Sequence, residues 1–169
     1  EDERLRRQAA ALGLAESVMF LGRLGHEDLS SLHAAADIFV LPTLCHEGLP
    51  MSLLEAQASG LPAVASAVGW SSIALDDGTT GLLVPPRDPV ALAAGLDALL
   101  RDRQRRLAMG AAARERALAR FSVTTMIDSI EALLDAQLQI PEPAEDACRR
   151  HFDAHPARYR AGDRAHVRH

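Results

Sequence analysis

The sequence lacks lysine and asparagine, has 4% aromatic residues and contains two cysteines among its 169 residues. The 18 basic side chains are therefore all arginine, and against 23 acidic side chains they leave a net charge of −5. That charge argues against a general binder of nucleic-acid backbones. Cys45 and Cys148 are far apart and in dissimilar contexts, so neither a disulfide framework nor a paired zinc knuckle is indicated.

Long apolar runs are also missing. No stretch approaches the roughly 20 apolar residues that a membrane-spanning helix needs. Residues 1–4 have neither the pattern of a signal peptide nor an initiator methionine. We therefore expect a cytoplasmic protein whose sequence begins within a longer parent. Apolar residues make up 48% of the chain, which is enough for a buried core and fits one compact domain with an appendage.

Short apolar runs alternate with helical patterns over residues 1–140. The runs predict buried strands at 18–21, 38–41, 63–66 and 82–84. The helical patterns lie at 3–13, 27–36, 50–60, 89–101, 103–120 and 123–139. Gly13 and Gly60 are expected to end the first and third helices, and Pro50 to lie in the first turn of the third. This alternation predicts a Rossmann-like α/β fold with a parallel sheet and helices on both faces.

The character of the sequence changes at residue 141, where prolines begin to interrupt the helical pattern. We predict that residues 141–169 form a polar, poorly ordered tail beside a domain of residues 1–140. Cys148, His151 and His155 have a spacing that could place three zinc ligands on one helical face. A fourth ligand is missing, so a solvated polar segment is the preferred interpretation and no metal site is predicted.

The loop after the second predicted strand is the first place to expect chemistry, because ligands of open parallel sheets bind at the carboxyl ends of the strands. In that loop Gly48 allows a ligand to approach the backbone, and Pro50 begins a helix without needing a hydrogen bond. The N–H groups of Leu49, Met51 and Ser52 would point out of the helix end with the positive end of its dipole. This arrangement predicts an anion site suited to a phosphate.

Glu47 and Glu55 flank this turn. Carboxylates accept hydrogen bonds and donate none, so the pair is suited to sugar hydroxyls on either side of a diphosphate. The alternative is that neither binds a ligand: Glu47 would be an acid at a helix start and Glu55 would lie on a solvated helix face. His46 could bond to a sugar or phosphate or be an exposed loop residue, and Cys45 is interpreted as a loop residue rather than a nucleophile.

The stretch 47–55, with a glutamate at each end, resembles the signature of retaining GT-B glycosyltransferases, especially those of family 4. The motifs around it follow that family's order and spacing. They are Val18-Met19-Phe20-Leu21-Gly22, Ala34-Ala35-Ala36-Asp37-Ile38-Phe39-Val40-Leu41-Pro42, Gly60-Leu61-Pro62-Ala63-Val64-Ala65-Ser66 and Gly81-Leu82-Leu83-Val84-Pro85-Pro86. The resemblance covers roughly residues 1–135.

The resemblance implies the donor-binding part of the C-terminal half of a GT-B fold, in a parent enzyme that moves a sugar from a nucleoside diphosphate to an unknown acceptor with retention. Glu47 would be the catalytic residue and would bind donor hydroxyls near the reacting carbon. Glu55 would bind the ribose hydroxyls. The amides of Leu49 and Met51, with Ser52, would hold the diphosphate.

The remaining donor-site residues also follow from the resemblance. The backbone at Gly22 and Arg23 would face the base, and His46, Gly48 and Gly69 would complete the donor site. No metal or other cofactor is implied, because a helix dipole and cations replace it.

The sequence also departs from the family pattern. Where many members have two glycines and a glutamate three residues later, this chain has Gly69-Trp70 and then Ile73. Trp70 could stack on a base or sugar, or cover the sheet edge. The family's opening strand, helix and second strand, with an arginine and a lysine for the diphosphate, are not in the sequence, nor is the acceptor domain. We therefore expect an N-terminal acceptor domain or a partner chain to complete the enzyme.

Two other functions remain open. The chain could be a non-catalytic nucleotide-sugar-binding fragment or one half of a split glycosyltransferase. The other is a sugar-nucleotide epimerase of GT-B architecture, and the spacing of the two glutamates argues against it.

A cluster of arginines could bind acidic lipids and hold the protein peripherally at the inner face of the cell membrane, or could be a solvated helix face. Its members are Arg101, Arg103, Arg105 and Arg106.

Overall fold

The computed structural model describes residues 2–45, 48–137 and 144–158. Within these ranges the elements are α1 (Asp2–Ala11), α2 (His26–Ala35), β1 (Phe39–Leu41), α3 (Met51–Ala58), β2 (Ala63–Ser66), α4 (Ser71–Ala74), β3 (Gly81–Val84), α5 (Pro89–Arg101), α6 (Arg103–Phe121), α7 (Val123–Gln137) and α8 (Glu145–Ala154), with a 3-10 turn at Pro156–Arg158. The chain divides into two compact units, Glu1–Met126 and Ile127–His169. The sequence pattern predicts a domain boundary after residue 140, and that boundary stays a prediction.

The three strands form one parallel sheet in the order β1-β2-β3, so β2 is central. All four residues of β2 are buried, as expected for a strand covered on both faces. Its side chains alternate between two cores. The first core contains Leu53, Leu54, Ala63, Ala65, Ala74 and Leu75. The second contains Val64, Val84, Leu99 and Met109. Helices α3 and α4 thus cover one face and α5 the other, while α6 adds Phe121 to the first core and Met109 to the second. This arrangement confirms the predicted α/β architecture.

The predicted strand at 18–21 is wrong. These residues form no strand, and Met19 is 81% exposed. The N–H of Val18 bonds to the carbonyl of Leu14 in a turn. A strand needs a neighbour that takes its backbone hydrogen bonds. No strand in the described part of the chain lies beside this segment, so the apolar run stays irregular.

The end of α3 follows the sequence prediction. Gly60 has a φ of +85°, a left-handed conformation that glycine adopts without steric penalty. The N–H of Gly60 bonds to the carbonyl of Gln57, and the N–H of Leu61 bonds to that of Ala56. This pair of bonds closes the helix end and turns the chain into β2.

Glycine at residue 110 lets α6 pack directly on this turn. A Cβ on Gly110 would collide with the carbonyl oxygen of Gly60. The close approach holds the end of α3 against α6 and so restricts the direction of the α3 axis.

Arginines of α6 bind the carbonyl groups at the ends of other helices. Arg106, whose side chain is 14% exposed, donates to the carbonyls of Leu99 and Leu100 at 2.9 and 3.2 Å and pairs with Asp37 at 3.1 Å. The last carbonyls of a helix have no partner within it and carry the negative end of the dipole. Arg106 therefore stabilises the end of α5 and is not part of a solvated face.

Two further arginines of α6 act in the same way on α3 and α4. Arg114 donates to the carbonyl of Ala58, the last residue of α3. Arg116 donates to the carbonyls of the last two residues of α4, including that of Ala74 at 2.6 Å. Burial, and then the charge of Arg120, lower the pKa of Arg116. The ends of α3, α4 and α5 are thus all bound by α6.

The segment beyond the domain contains α8, where we predicted poor order. Residues 145–154 have good helix formers between the interrupting prolines, and Glu145 and Asp146 in the first turn favour the helix dipole. The rings of His151 and His155 stack with centroids 4.5 Å apart. Among the described residues, no group of three or more His, Cys, Asp or Glu side chains could hold a metal ion.

Candidate functional site

The three parallel strands end on one side of the sheet, which we call the carboxyl edge. Leu41, Ser66 and Val84 are the last residues of β1, β2 and β3. The connection from β1 leads into α3 and the connection from β3 leads into α5. In sheets of this kind, ligands bind where such connections leave the carboxyl ends.

The start of α3 lies beyond the carboxyl edge and has no side-chain cap. Pro50 is the N-cap, with φ −74° and ψ 100°, and not the first helical residue that we predicted. Its carbonyl accepts from the N–H groups of Leu53 and Leu54. The N–H groups of Met51 and Ser52 have no acceptor among the described residues. As far as the described residues go, two donors therefore stand open at the positive end of the helix.

The side chains around this turn leave it accessible. Leu49 packs against the first core and holds the turn to the sheet. Met51 is 61% exposed and Ser52 is exposed. A Cβ built on Gly48 would meet open space, so nothing in the described chain fills the region beside it. A ligand could approach these backbone groups without displacing any side chain of residues 48–52.

Glu55 is half-buried, one turn into α3, and lines a cavity of about 260 Å³ between α2 and α3. Its carboxylate makes no hydrogen bond or ion pair with the described residues. The cavity's other walls include His26, Ser30 and His33 from α2. A role for Glu55 in binding a ligand stays a prediction.

The histidines of this cavity were not predicted from the sequence. His33 is 7% exposed and its ring meets that of Phe39 edge-on, with centroids 6.0 Å apart. His26 begins α2 and is exposed. In the sequence, His33 occupies a helical position on the same face as Leu29. A histidine of the hydrophobic core would show the same pattern, so the sequence does not distinguish the two.

The other predicted site residues are not gathered around this cavity. Gly22 and Arg23 are exposed in the segment before α2, and Gly22 has a φ of +67°. Gly69, half-exposed with a φ of +53°, lies in the turn after β2. His46 and Glu47 lie outside the described residues.

The fold and the position of the site define a Rossmann-like domain of the GT-B type. Residues 1–116 match the family of glycosyl transferases group 1, and the chain belongs to that family. None of the described helices has the length and apolar character that crossing a membrane requires.

Two curated proteins illustrate the sequence similarity. A D-inositol 3-phosphate glycosyltransferase from Corynebacterium kroppenstedtii is 44% identical over 114 residues, which is 68% of this chain and 25% of that protein. A GDP-mannose-dependent alpha-(1-6)-phosphatidylinositol monomannoside mannosyltransferase from Mycolicibacterium smegmatis is 37% identical over 141 residues, 80% of this chain and 37% of that protein. The chain thus spans between a quarter and two fifths of the length of these relatives.

Two solved structures illustrate the similarity of the fold. Sucrose-phosphate synthase from Thermosynechococcus elongatus superimposes with a TM-score of 0.72 and 32% identity, covering 80% of this chain and 35% of that one. HepE from Anabaena in complex with UDP superimposes with a TM-score of 0.74 and 28% identity, covering 79% and 36%.

Proposed function

We propose that this chain is the donor-binding part of a retaining glycosyltransferase that takes its sugar from a nucleoside diphosphate. The observation that carries the proposal is the uncapped start of α3 beyond the carboxyl edge, with the carboxylate of Glu55, unpaired within the described chain, one turn further on. A phosphate binds well at such a helix start, because unpaired N–H groups and the dipole both favour an anion.

The diphosphate of the donor would occupy the start of α3. The N–H groups of Leu49 and Met51 and the hydroxyl of Ser52 would donate to its oxygens. As the sugar leaves, negative charge builds up on the diphosphate, and fixed donors stabilise that charge without reorganising. HepE from Anabaena, which shares this fold, was solved with UDP and with UDP-glucose.

The ribose would lie against Glu55. A carboxylate has two acceptor oxygens, which suits the adjacent hydroxyl pair of a ribose. The base would then face the backbone at Gly22 and Arg23. His46, Gly48 and Gly69 would complete the donor site on the sugar side, as the family resemblance implies.

Glu47 would be the catalytic residue by the same resemblance, binding donor hydroxyls next to the anomeric carbon. In the transfer, the bond from the anomeric carbon to the diphosphate oxygen breaks and a bond to the acceptor oxygen forms on the same face. The proton of the acceptor hydroxyl passes to the departing diphosphate. We propose that no metal ion is required, since the helix start and the cations of the whole enzyme balance the charge.

An acceptor domain, in the same polypeptide or on a partner chain, would supply the second substrate. The alternative is a module that binds nucleotide sugars without transferring them. The two proposals differ in one observable: a transferase produces glycosylated acceptor once its acceptor domain is supplied, whereas a binding module only retains the donor.

Calorimetric titration of the chain with UDP, GDP, UDP-glucose and GDP-mannose tests donor binding. We expect Glu55→Ala to weaken binding of the preferred nucleotide by at least about 1 kcal/mol, the scale of a hydrogen bond to a charged group. Glu115→Ala, which removes an exposed glutamate from α6, is the matched control and should change nothing. Unchanged affinity in Glu55→Ala would remove Glu55 from the site.

Glu47→Ala should behave differently. Because Glu47 is assigned to the sugar, its loss should weaken binding of UDP-glucose or GDP-mannose while binding of bare UDP or GDP changes little. Equal losses for sugar nucleotide and bare nucleotide would contradict that role.

We also propose a cytoplasmic enzyme with peripheral association at the inner face of the membrane. Of the arginine cluster, Arg101 bonds to Asp97 and Arg106 binds α5, which leaves the exposed Arg103 and Arg105 for lipid head groups. Sedimentation with phosphatidylglycerol vesicles at low salt would reveal binding, and none at any salt concentration would exclude it.

A further inference from the structure

Arg87 has a backbone conformation that arginine rarely adopts. Its φ is +61°, in the left-handed region, and every other described residue with a positive φ is a glycine. The Cβ atom makes this region unfavourable for most residues other than glycine. A backbone outlier of this kind points to function when the fold does not need the side chain that it carries.

The turn that contains Arg87 needs the conformation but not the arginine. The residue lies between β3 and α5, directly after Pro86 and before Asp88. The carboxylate of Asp88 caps α5 by accepting from the N–H of Ala91 at 2.9 Å. Glycine at residue 87 would form the same turn without the steric penalty. The fold alone therefore does not account for arginine at this position.

The guanidinium group of Arg87 is open to a ligand. The side chain is exposed, and no hydrogen bond or ion pair with the described residues engages it. The neighbouring Asp88 is already occupied as the cap of α5. A guanidinium presents donors in a fixed fork that matches the oxygens of a phosphate.

Arg87 lines a hollow of about 170 Å³ at the carboxyl edge, which we call the strand-end hollow. Ser66, the last residue of β2, lines the same hollow and is 4% exposed. Its hydroxyl has no hydrogen-bond partner among the described residues. Among the described residues only Oε1 of Gln57 is a fully buried side-chain atom without a partner, so the Ser66 oxygen is reached by solvent and is free to donate to a ligand in the hollow.

We infer that Arg87 and Ser66 form a subsite for a phosphate group, separate from the start of α3. The arginine fork donates two parallel hydrogen bonds to phosphate oxygens and the serine hydroxyl donates a third. The other walls include Pro42, Leu44 and Val84, which give the hollow an apolar lining beside the two donors. Which molecule carries the phosphate rests on the proposed function: it is the donor's diphosphate or a phosphorylated acceptor.

The test uses the full chain with inorganic phosphate, followed by phosphorus NMR line width and by the phosphate dependence of Tm. Arg87→Gln removes the charge and keeps the left-handed strain, whereas Arg87→Gly removes both. Arg149→Gln removes an exposed arginine of α8 whose side chain has no partner in the described chain and no proposed ligand, and serves as the control.

Both Arg87 variants should raise the apparent Kd for phosphate about tenfold, and Arg149→Gln should leave it unchanged. Ser66→Ala should raise it about threefold, because one neutral hydrogen bond is lost. Without phosphate, Arg87→Gly should raise Tm and Arg87→Gln should not, which separates the backbone effect from the charge effect. Equal phosphate binding in wild type and Arg87→Gln, or none in wild type, would overturn the inference.

UDP distinguishes the two sources of the phosphate. If Arg87→Gln weakens UDP about as much as phosphate, the subsite takes the donor's diphosphate. If UDP binding is unchanged and phosphate still binds with UDP saturating, the subsite takes a second, phosphorylated ligand. The proposed function fails separately, when wild type binds phosphate through Arg87 but binds no nucleotide.

Discussion

The start of α3 differs from the starts of α5 and α6 in how its N–H groups are satisfied. Asp88 caps α5 by accepting a hydrogen bond from the N–H of Ala91 at 2.9 Å. Asp102 caps α6 by accepting one from the N–H of Arg105 at 2.9 Å. At α3 the cap position holds Pro50, which has no side-chain acceptor. An aspartate cap contributes about 1 kcal/mol, so α3 lacks stability that its neighbours have. Helices α2 and α8 also lack a side-chain cap, so the missing cap alone does not mark a ligand site. We propose that the open donors of α3 serve a ligand because they also lie beyond the carboxyl edge.

The other ends of these helices do not differ in this way. The last carbonyls of both α3 and α5 receive hydrogen bonds from arginines of α6, Arg114 for α3 and Arg106 for α5. Helix α3 is therefore held firmly where no ligand is expected and left open beyond the carboxyl edge.

The largest expected effect is a loss of stability when a helix end loses the α6 arginine that binds its carbonyls. Arg106→Ala should lower the free energy of unfolding by about 2 kcal/mol, because two helix carbonyls lose their hydrogen-bond donor and Asp37 loses its ion-pair partner. Nucleotide affinity should not change, since the end of α5 lies opposite the carboxyl edge. Denaturant unfolding measures the first quantity and calorimetric titration the second.

The control for this substitution is Arg103→Ala, on the same helix but exposed and without a side-chain partner in the described chain. It should change stability by less than about 0.5 kcal/mol. If the two variants lost equal stability, the distinction between helix-binding and solvated arginines of α6 would be wrong.

A smaller effect is expected when charge is added to the open start. Met51→Asp places a carboxylate in the first turn of α3, where it should repel a diphosphate and raise the Kd for UDP or GDP about tenfold. The same carboxylate should stabilise the helix by about 0.5 kcal/mol through the dipole. The variant would thus be more stable and bind less, and titration and denaturant unfolding measure the two effects.

Gln104→Asp makes the same change at the capped start of α6, where the side chain is exposed. It should add similar stability and leave nucleotide affinity unaltered. Weaker nucleotide binding in this control as well would mean that Met51→Asp acts through net charge and not through the start of α3.

Local pattern was sufficient to predict most elements of the fold. The strand at 63–66 and the helix at 89–101 have the predicted bounds, because turn residues and caps define both ends of each. The segment 18–21 was mispredicted, since its apolar run matches a strand but strand formation depends on a neighbour. Sequence pattern describes one segment at a time and contains no information about that neighbour.

The candidate site was likewise predictable where it depends on local sequence and not where it depends on packing. The open start of α3 was predictable because a glycine, a proline and a helical pattern follow a strand directly. His26 and His33, which line the same cavity as Glu55, come from another helix, so only the packing of α2 on α3 reveals them. The Arg87 and Ser66 pair likewise depends on two strands ending side by side.

A crystal structure of the chain with UDP-glucose or GDP-mannose tests the central claim most directly. We predict diphosphate oxygens about 2.7–3.2 Å from the backbone nitrogens of Met51 and its neighbours, and ribose hydroxyls at the same range from the carboxylate of Glu55. A nucleotide bound elsewhere, with the first turn of α3 facing only solvent, would contradict the account.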